Sequence, residues 1–144
     1  MTILLELNYC IKTHPTIDKN LFIKKYNFPK NFHFSDEDTH NLINNSKVVI
    51  SGISSICMES ICLGKPTIII EKDKCLNFDP VPKFIDNILF KRANNYKELS
   101  KHIKFYLNLN DKEKELIVKK SYNIKNYYFE KPTTINKKEM LGLN

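Results

Sequence analysis

Tryptophan is absent from this chain, glycine occurs three times, and arginine occurs once, as Arg92, among 23 basic residues. With so little glycine there is no Gly-x-Gly-x-x-Gly fingerprint, which disfavours a dinucleotide oxidoreductase. The lysines are spread along the chain and no aromatics interleave with arginine, so a nucleic-acid partner is not expected. No apolar run approaches the ~20 residues that a membrane-spanning helix needs. Met1-Thr2-Ile3-Leu4-Leu5 is short and lacks the basic start of a secretory signal. The four cysteines, Cys10, Cys57, Cys62 and Cys75, form no Cys-x-x-Cys pair. They read as small core hydrophobes in a reducing cytosol. His14, His33, His40 and His102 have no ligand-like spacing with them, so no metal site is expected.

What is present suits a folded domain. The chain has 144 residues, of which 42% are hydrophobic and 27% charged, with no internal repeat or low-complexity tract. This predicts one folded domain over residues 1–130 and a loosely ordered polar tail over 131–144. The formal net charge of +7 suits a phosphate-bearing small molecule or an anionic membrane surface. The expected location is cytoplasmic, with peripheral contact to the inner face of the membrane.

The stretch around which the rest is organised is Val48–Ile70, VVISGISSICMESICLGKPTIII. Val48-Val49-Ile50 is an apolar run that ends at Ser51-Gly52. A helical segment spans Ser54 to Leu63, Gly64 stops it, Pro66 prevents its return, and Thr67–Ile70 is a second apolar run. Strand, turn, helix and strand make a βαβ unit, and nearly continuous apolar strands predict cover on both faces. Gly52 is expected to bend the turn, and Ser54 or Ser55 to cap the helix. Glu59 lies four residues after Ser55 on the same face, a carboxylate on an otherwise apolar helix. Two readings are open. One is an ordinary capped core helix with a glutamate at its edge. The other is a nucleotide site, with diphosphate at the helix start and ribose hydroxyls at Glu59.

The flanks continue the β/α alternation. Leu7–Lys12 reads as a strand, followed by a loop with Lys12-Thr13-His14-Pro15 at its carboxyl end. Ile17–Tyr26 reads as a helix and Phe32–Phe34 as a strand. Ser35-Asp36-Glu37-Asp38 opens a helix to about Asn45, with Leu42 and Ile43 inward. Glu71–Pro82 is a loop, and a short strand is expected around Ile88–Phe90. Asn95 caps a helix to Leu107, with Tyr96, Leu99, Ile103 and Leu107 on one face. Another helix runs from Lys112 to about Tyr127, with Leu116, Ser121 and Ile124 on one face and an aromatic end. This alternation predicts an α/β fold, a single Rossmann-like domain with a mostly parallel sheet flanked by helices.

Ser51, Gly52, Ser54, Ser55, Glu59, Gly64, Lys65 and Pro66 fall in an order that resembles the donor-binding segment of GT-B glycosyltransferases. Lys12-Thr13-His14-Pro15 resembles the Lys-x-His-Pro element of a subset of them, the CDP-glycerol glycerophosphotransferases and Kdo-type capsule enzymes, with Thr13 where Pro often stands. The likeness covers roughly Ile11 to Leu107. It implies the donor-binding half of a GT-B fold acting in bacterial surface polysaccharide synthesis. Lys12, His14, Gly52, Ser54 and Ser55 would hold donor phosphate, and Glu59 would hold ribose. The donor would be a CMP-, CDP- or UDP-linked sugar or glycerol; no separate cofactor is implied. The resemblance assigns no catalytic base, and the acceptor domain is expected N-terminal to this one or on a partner chain. Read without the likeness, His14 is a turn residue and Lys12 a solvated side chain. Two rival functions stay open: a non-catalytic nucleotide-binding or scaffolding subunit, and a GT-B-fold sugar-nucleotide 2-epimerase fragment.

Overall fold

In a computed structural model, residues 7–71 and 79–129 are described, and they form five helices and five strands. The chain is α/β, every strand pairing among the described residues is parallel, and helices flank the strands in a Rossmann-like manner. The strands divide between a two-stranded and a three-stranded sheet, and the chain divides into two compact units, Met1–Asn45 and Ser46–Asn144.

In the first unit β1 (Tyr9–Ile11) pairs with β2 (Phe32–Phe34), joined through α1 (Lys19–Lys25), and α2 (Thr39–Asn45) follows. The helix starts are chemically plain. Asp18 accepts the N–H groups of Asn20 and Leu21 at 2.8 and 3.1 Å, and Asp38 accepts those of His40 and Asn41 at 2.9 and 3.2 Å. The expected acidic first turn of α2 narrows to that one cap. Asp36 lies before the helix and pairs with Lys19 instead. Rings hold the unit together: Tyr9 stacks on Phe32 at 4.4 Å, and Phe22 meets Tyr26, Phe28 and Phe34 at 4.9, 5.7 and 6.2 Å. Ile43 is buried and Leu42 half-buried, both facing inward as expected.

The second unit contains β3 (Val49–Ser51), α3 (Ile56–Cys62), β4 (Thr67–Ile70), β5 (Phe90–Ala93), α4 (Tyr96–Leu107) and α5 (Asp111–Tyr128), in sheet order β3-β4-β5. Ile68 and Ile69 point to opposite faces of β4 and both are 0% exposed, so this central strand is covered on both sides. Burying each contributes about 1.5–3 kcal/mol. β3 departs from the expectation: Ile50 is 37% exposed, because β3 pairs on one side only among the described strands. α3 turns Cys57, Ser60 and Ile61 inward, at helical spacing, and packs on β3, β4 and α5.

Three sequence expectations shift here. The last strand is Phe90–Ala93 rather than Ile88–Phe90, because Asp86 accepts the Ile88 N–H at 2.9 Å and holds residues 86–89 in a turn. On α4 the buried pair is Ile103 and Tyr106, with Tyr96 exposed. On α5 the inward residues are Ile117 and Ser121, while Leu116 faces out. Asn95 caps α4 as read, and Asn110 forms a full capping box with Glu113 at the start of α5. The 131–144 tail, Cys75, the first five residues and most of the Glu71–Pro82 loop lie outside the described residues.

Candidate functional site

The turn from β3 into α3 lies at the carboxyl end of a parallel strand, the end where open α/β sheets bind ligands. The Ser51 and Ser54 hydroxyls are 3.4 Å apart, and Ser54 Oγ also accepts the Ile56 N–H at 3.3 Å. The expected roles are redistributed. Ser55 occupies the N-cap position, but its side chain makes no capping bond; the hydroxyl at the helix start is that of Ser54. Gly52 has no positive φ, so the bend does not require glycine. The space beside Gly52 is open: a Cβ there would meet nothing within 4 Å among the described residues. Glu59 is half-buried in the first helical turn, where a carboxylate suits the helix dipole.

Cys57 closes the inner side of the turn, its thiol donating to the Gly52 carbonyl at 3.3 Å. Burial raises the thiol above its usual pKa; bonds from Ser54 and Ser51 and the charge of Arg92 oppose this only in part. Such a thiol stays protonated and is a packing group rather than a nucleophile.

Arg92 is the residue that sequence reasoning passed over. It pairs with Ile69, which pairs with Ser51, so the three stand in one row near the carboxyl end of the sheet. At ~4.8 Å per strand, Ser51 and Arg92 are about 10 Å apart. The guanidinium bonds Glu71 and, at 2.8 Å, both carboxylate oxygens of Asp79. The Arg92 backbone carbonyl contacts His102 Nε2 at 3.0 Å. Burial pushes the Asp79 pKa up, but the Arg92 bond, the Val81 N–H and the charges of Arg92 and Lys83 together hold it below the ordinary value. The signal was in the sequence: a single arginine in a lysine-rich chain, at the end of a strand, marks a place where a planar, multidentate cation is used.

Lys12 and His14 belong to the first unit, and Gly52, Ser54, Ser55 and Glu59 to the second. Lys12 follows β1, and its ammonium donates to the Glu37 carbonyl at 2.6 Å. The exposed His14 ring is set by its own loop: Nδ1 accepts the Thr16 N–H at 3.3 Å and contacts the Thr16 hydroxyl at 2.8 Å. An accepting Nδ1 leaves Nε2 as the N–H donor of the neutral ring. Lys65 donates to the Ser46 carbonyl at 3.2 Å, a contact after the helix and away from the turn.

Among the described residues no group of three or more His, Cys, Asp or Glu side chains gathers to hold a metal ion, and no helix is long and apolar enough to cross a membrane. Comparisons with protein-family models, curated proteins and solved structures gave no match. The reading of the site therefore stands on its geometry: hydroxyl and N–H donors at a helix start, space beside a glycine, and a carboxylate one turn further on.

Proposed function

We propose that this chain is the donor-nucleotide-binding half of a GT-B-type glycosyltransferase or glycerophosphotransferase of bacterial surface polysaccharide synthesis. The observation that supports this reading is the β3–α3 turn, where two serine hydroxyls 3.4 Å apart and the open side of Gly52 precede the half-buried Glu59. Phosphate oxygens accept from hydroxyl and N–H donors, and ribose hydroxyls donate to a carboxylate, so a nucleoside diphosphate matches both ends of this set. Arg92, two strands across in the same row, is neutralised by Glu71 and Asp79, so in this reading the donor phosphates are held by the hydroxyl and N–H donors of the turn itself. Transfer also needs an acceptor held in line with the donor and a base at its hydroxyl. An acceptor domain, N-terminal to this one or on a second chain, supplies both.

The test is a thermal-shift titration with CMP, CDP, UDP and GDP. A pyrimidine nucleoside diphosphate should raise the unfolding temperature, by the equivalent of about 2.7 kcal/mol at a hundredfold excess over Kd. Glu59→Gln and Ser54→Ala, in folded protein, should each weaken binding by about 1–3 kcal/mol. No shift with any of the four nucleotides would reject the reading.

A further inference from the structure

We propose that the carboxyl end of α5, together with the adjoining 82–85 turn, is a peripheral docking surface for anionic lipid headgroups. Five exposed rings lie along this end, and three of them, Phe84, Tyr127 and Tyr128, are in mutual contact. Phe84, Tyr122 and Tyr127 are 64%, 63% and 76% exposed, and Phe129 and Tyr128 are 53% and 38% exposed. Phe84 meets Tyr127 edge-on and Tyr128 face-on, both at 5.9 Å, and the two tyrosines are 5.4 Å apart, so these rings pack on one another. One exposed aromatic needs no explanation, but the three that pack together in the open at Phe84, Tyr127 and Tyr128 do.

The charge around the rings chooses the occupant. From Leu116 to Phe129 the helix carries Lys119, Lys120 and Lys125 and no acidic residue, whereas its first turns hold Asp111, Glu113 and Glu115. Lys83 adjoins Phe84, and Asp86, the acid of that turn, is paired with Lys120 at 2.6 Å. Lysines at a helix carboxyl end suit the dipole, yet the dipole gives no reason for exposed rings beside them. Protein interfaces are enriched in aromatics and arginine but depleted in lysine. Tyrosine and phenylalanine among lysines, with no arginine, fit the headgroup region of an anionic bilayer, where amphipathic rings settle and each lysine adds attraction. Since no described helix is apolar and long enough to cross a bilayer, the contact lies at headgroup level.

The experiment is co-sedimentation of the full chain with phosphatidylcholine vesicles, with and without phosphatidylglycerol, at low and high salt and without nucleotide. The chain should partition onto the phosphatidylglycerol vesicles, and high salt should release it. Two variants, Phe84→Ser with Tyr127→Ser, and Lys83→Gln with Lys119→Gln and Lys125→Gln, alter exposed side chains and should keep the wild-type circular dichroism. Each should bind about tenfold or more weakly. Absence of binding to phosphatidylglycerol vesicles, equal binding to phosphatidylcholine alone, or undiminished binding by both variants would overturn the proposal. A solution dimer that Phe84→Ser with Tyr127→Ser dissociates, with no vesicle binding, would overturn it too and give the patch to a second copy of the chain.

Discussion

The two units hold themselves together with different side chains. Over residues 7–45 the contacts are between rings, Tyr9 with Phe32 and Phe22 with Phe28 and Phe34, and those rings stay partly exposed. Over residues 46–129 the centre is aliphatic and dry: Ile61, Ile68 and Ile69 are 0% exposed and Leu89 is 1% exposed. Apolar stabilisation follows the area removed from water, so the second unit carries the greater share. The lesson concerns the sites as well. The β3–α3 turn follows a strand paired with the fully covered β4, and α3 packs on both strands, which favours a fixed geometry, whereas the His14 loop stands on a two-stranded ladder and is shaped by its own short-range bonds.

The largest effect should come from the aliphatic core. Ile68→Ala should lower stability by about 3–4 kcal/mol, within the range for a buried isoleucine. Phe28→Ala, half-buried, should lower it by about 1–2 kcal/mol and leave amide exchange in β4 unchanged. Urea unfolding with hydrogen exchange measures both, and equal losses would break the contrast.

Acid should act next. The Asp79 carboxyl is held below its ordinary pKa by Arg92 and the other contacts that outweigh burial. Asp86 is lowered by its Lys120 bond, the Ile88 N–H and nearby lysine charge. A lowered folded value contributes stability that is present above the unfolded pKa of about 3.9 and lost as pH falls through the folded value. Arg92→Ala should therefore cost about 1 kcal/mol at neutral pH, the scale for partly exposed pairs, and should flatten the decline below about pH 4. An unchanged acid profile in that variant would show that the Arg92 cluster does not support the sheet.

Helix caps and glycines give the smaller tests. Asn110→Ala removes a capping box and should cost about 1 kcal/mol in global stability. Asp18→Ala should cost no more, and its effect should show as faster exchange confined to α1. Gly64 has φ +74°, and a Cβ would meet Val118 Cγ2 at an ordinary 3.7 Å, so Gly64→Ala should cost about 1 kcal/mol through backbone conformation alone. Gly52→Ala should change stability by less than about 0.5 kcal/mol. Denaturation curves of the two glycine variants, run side by side, check the difference.

Local chemistry made much of the fold legible. Asn95 caps the helix it appears to cap in the sequence, because a cap is a bond between near neighbours; Asp18, Asp38 and Asn110 cap by the same local bonds, with Asp38 placing the start of α2 later than the expected opening at Ser35. β2 and β4 coincide with their apolar runs. What was hidden depends on distant partners. The division into two sheets rests on which strands pair, and Ile50 is exposed because its strand pairs on one side only among the described strands. β5 was misplaced because Lys91 and Arg92 interrupt the apolar pattern, and the strand is specified by pairing with β4 instead. Tyr106 and Ile117 turn inward where Tyr96 and Leu116 looked equally suited, since both helices carry apolar residues on more than one face. For the candidate site, order and type single out Ser51, Ser54, Ser55 and Glu59, while the bonding of each at the turn, Ser54 rather than Ser55 at the helix start, emerges only in three dimensions. The Arg92 bonds to Glu71 and Asp79 join residues 21 and 13 positions apart, beyond any local pattern.

Nucleotide binding at the β3–α3 turn can be followed residue by residue by titrating the isotope-labelled chain with CDP and UDP while recording backbone amide resonances. Saturable shifts should concentrate at Gly52–Glu59, with a smaller response at Arg92, and Glu59→Gln should need a higher nucleotide concentration to reach them. Saturable shifts confined to other residues, or none at millimolar nucleotide, would contradict binding at this turn.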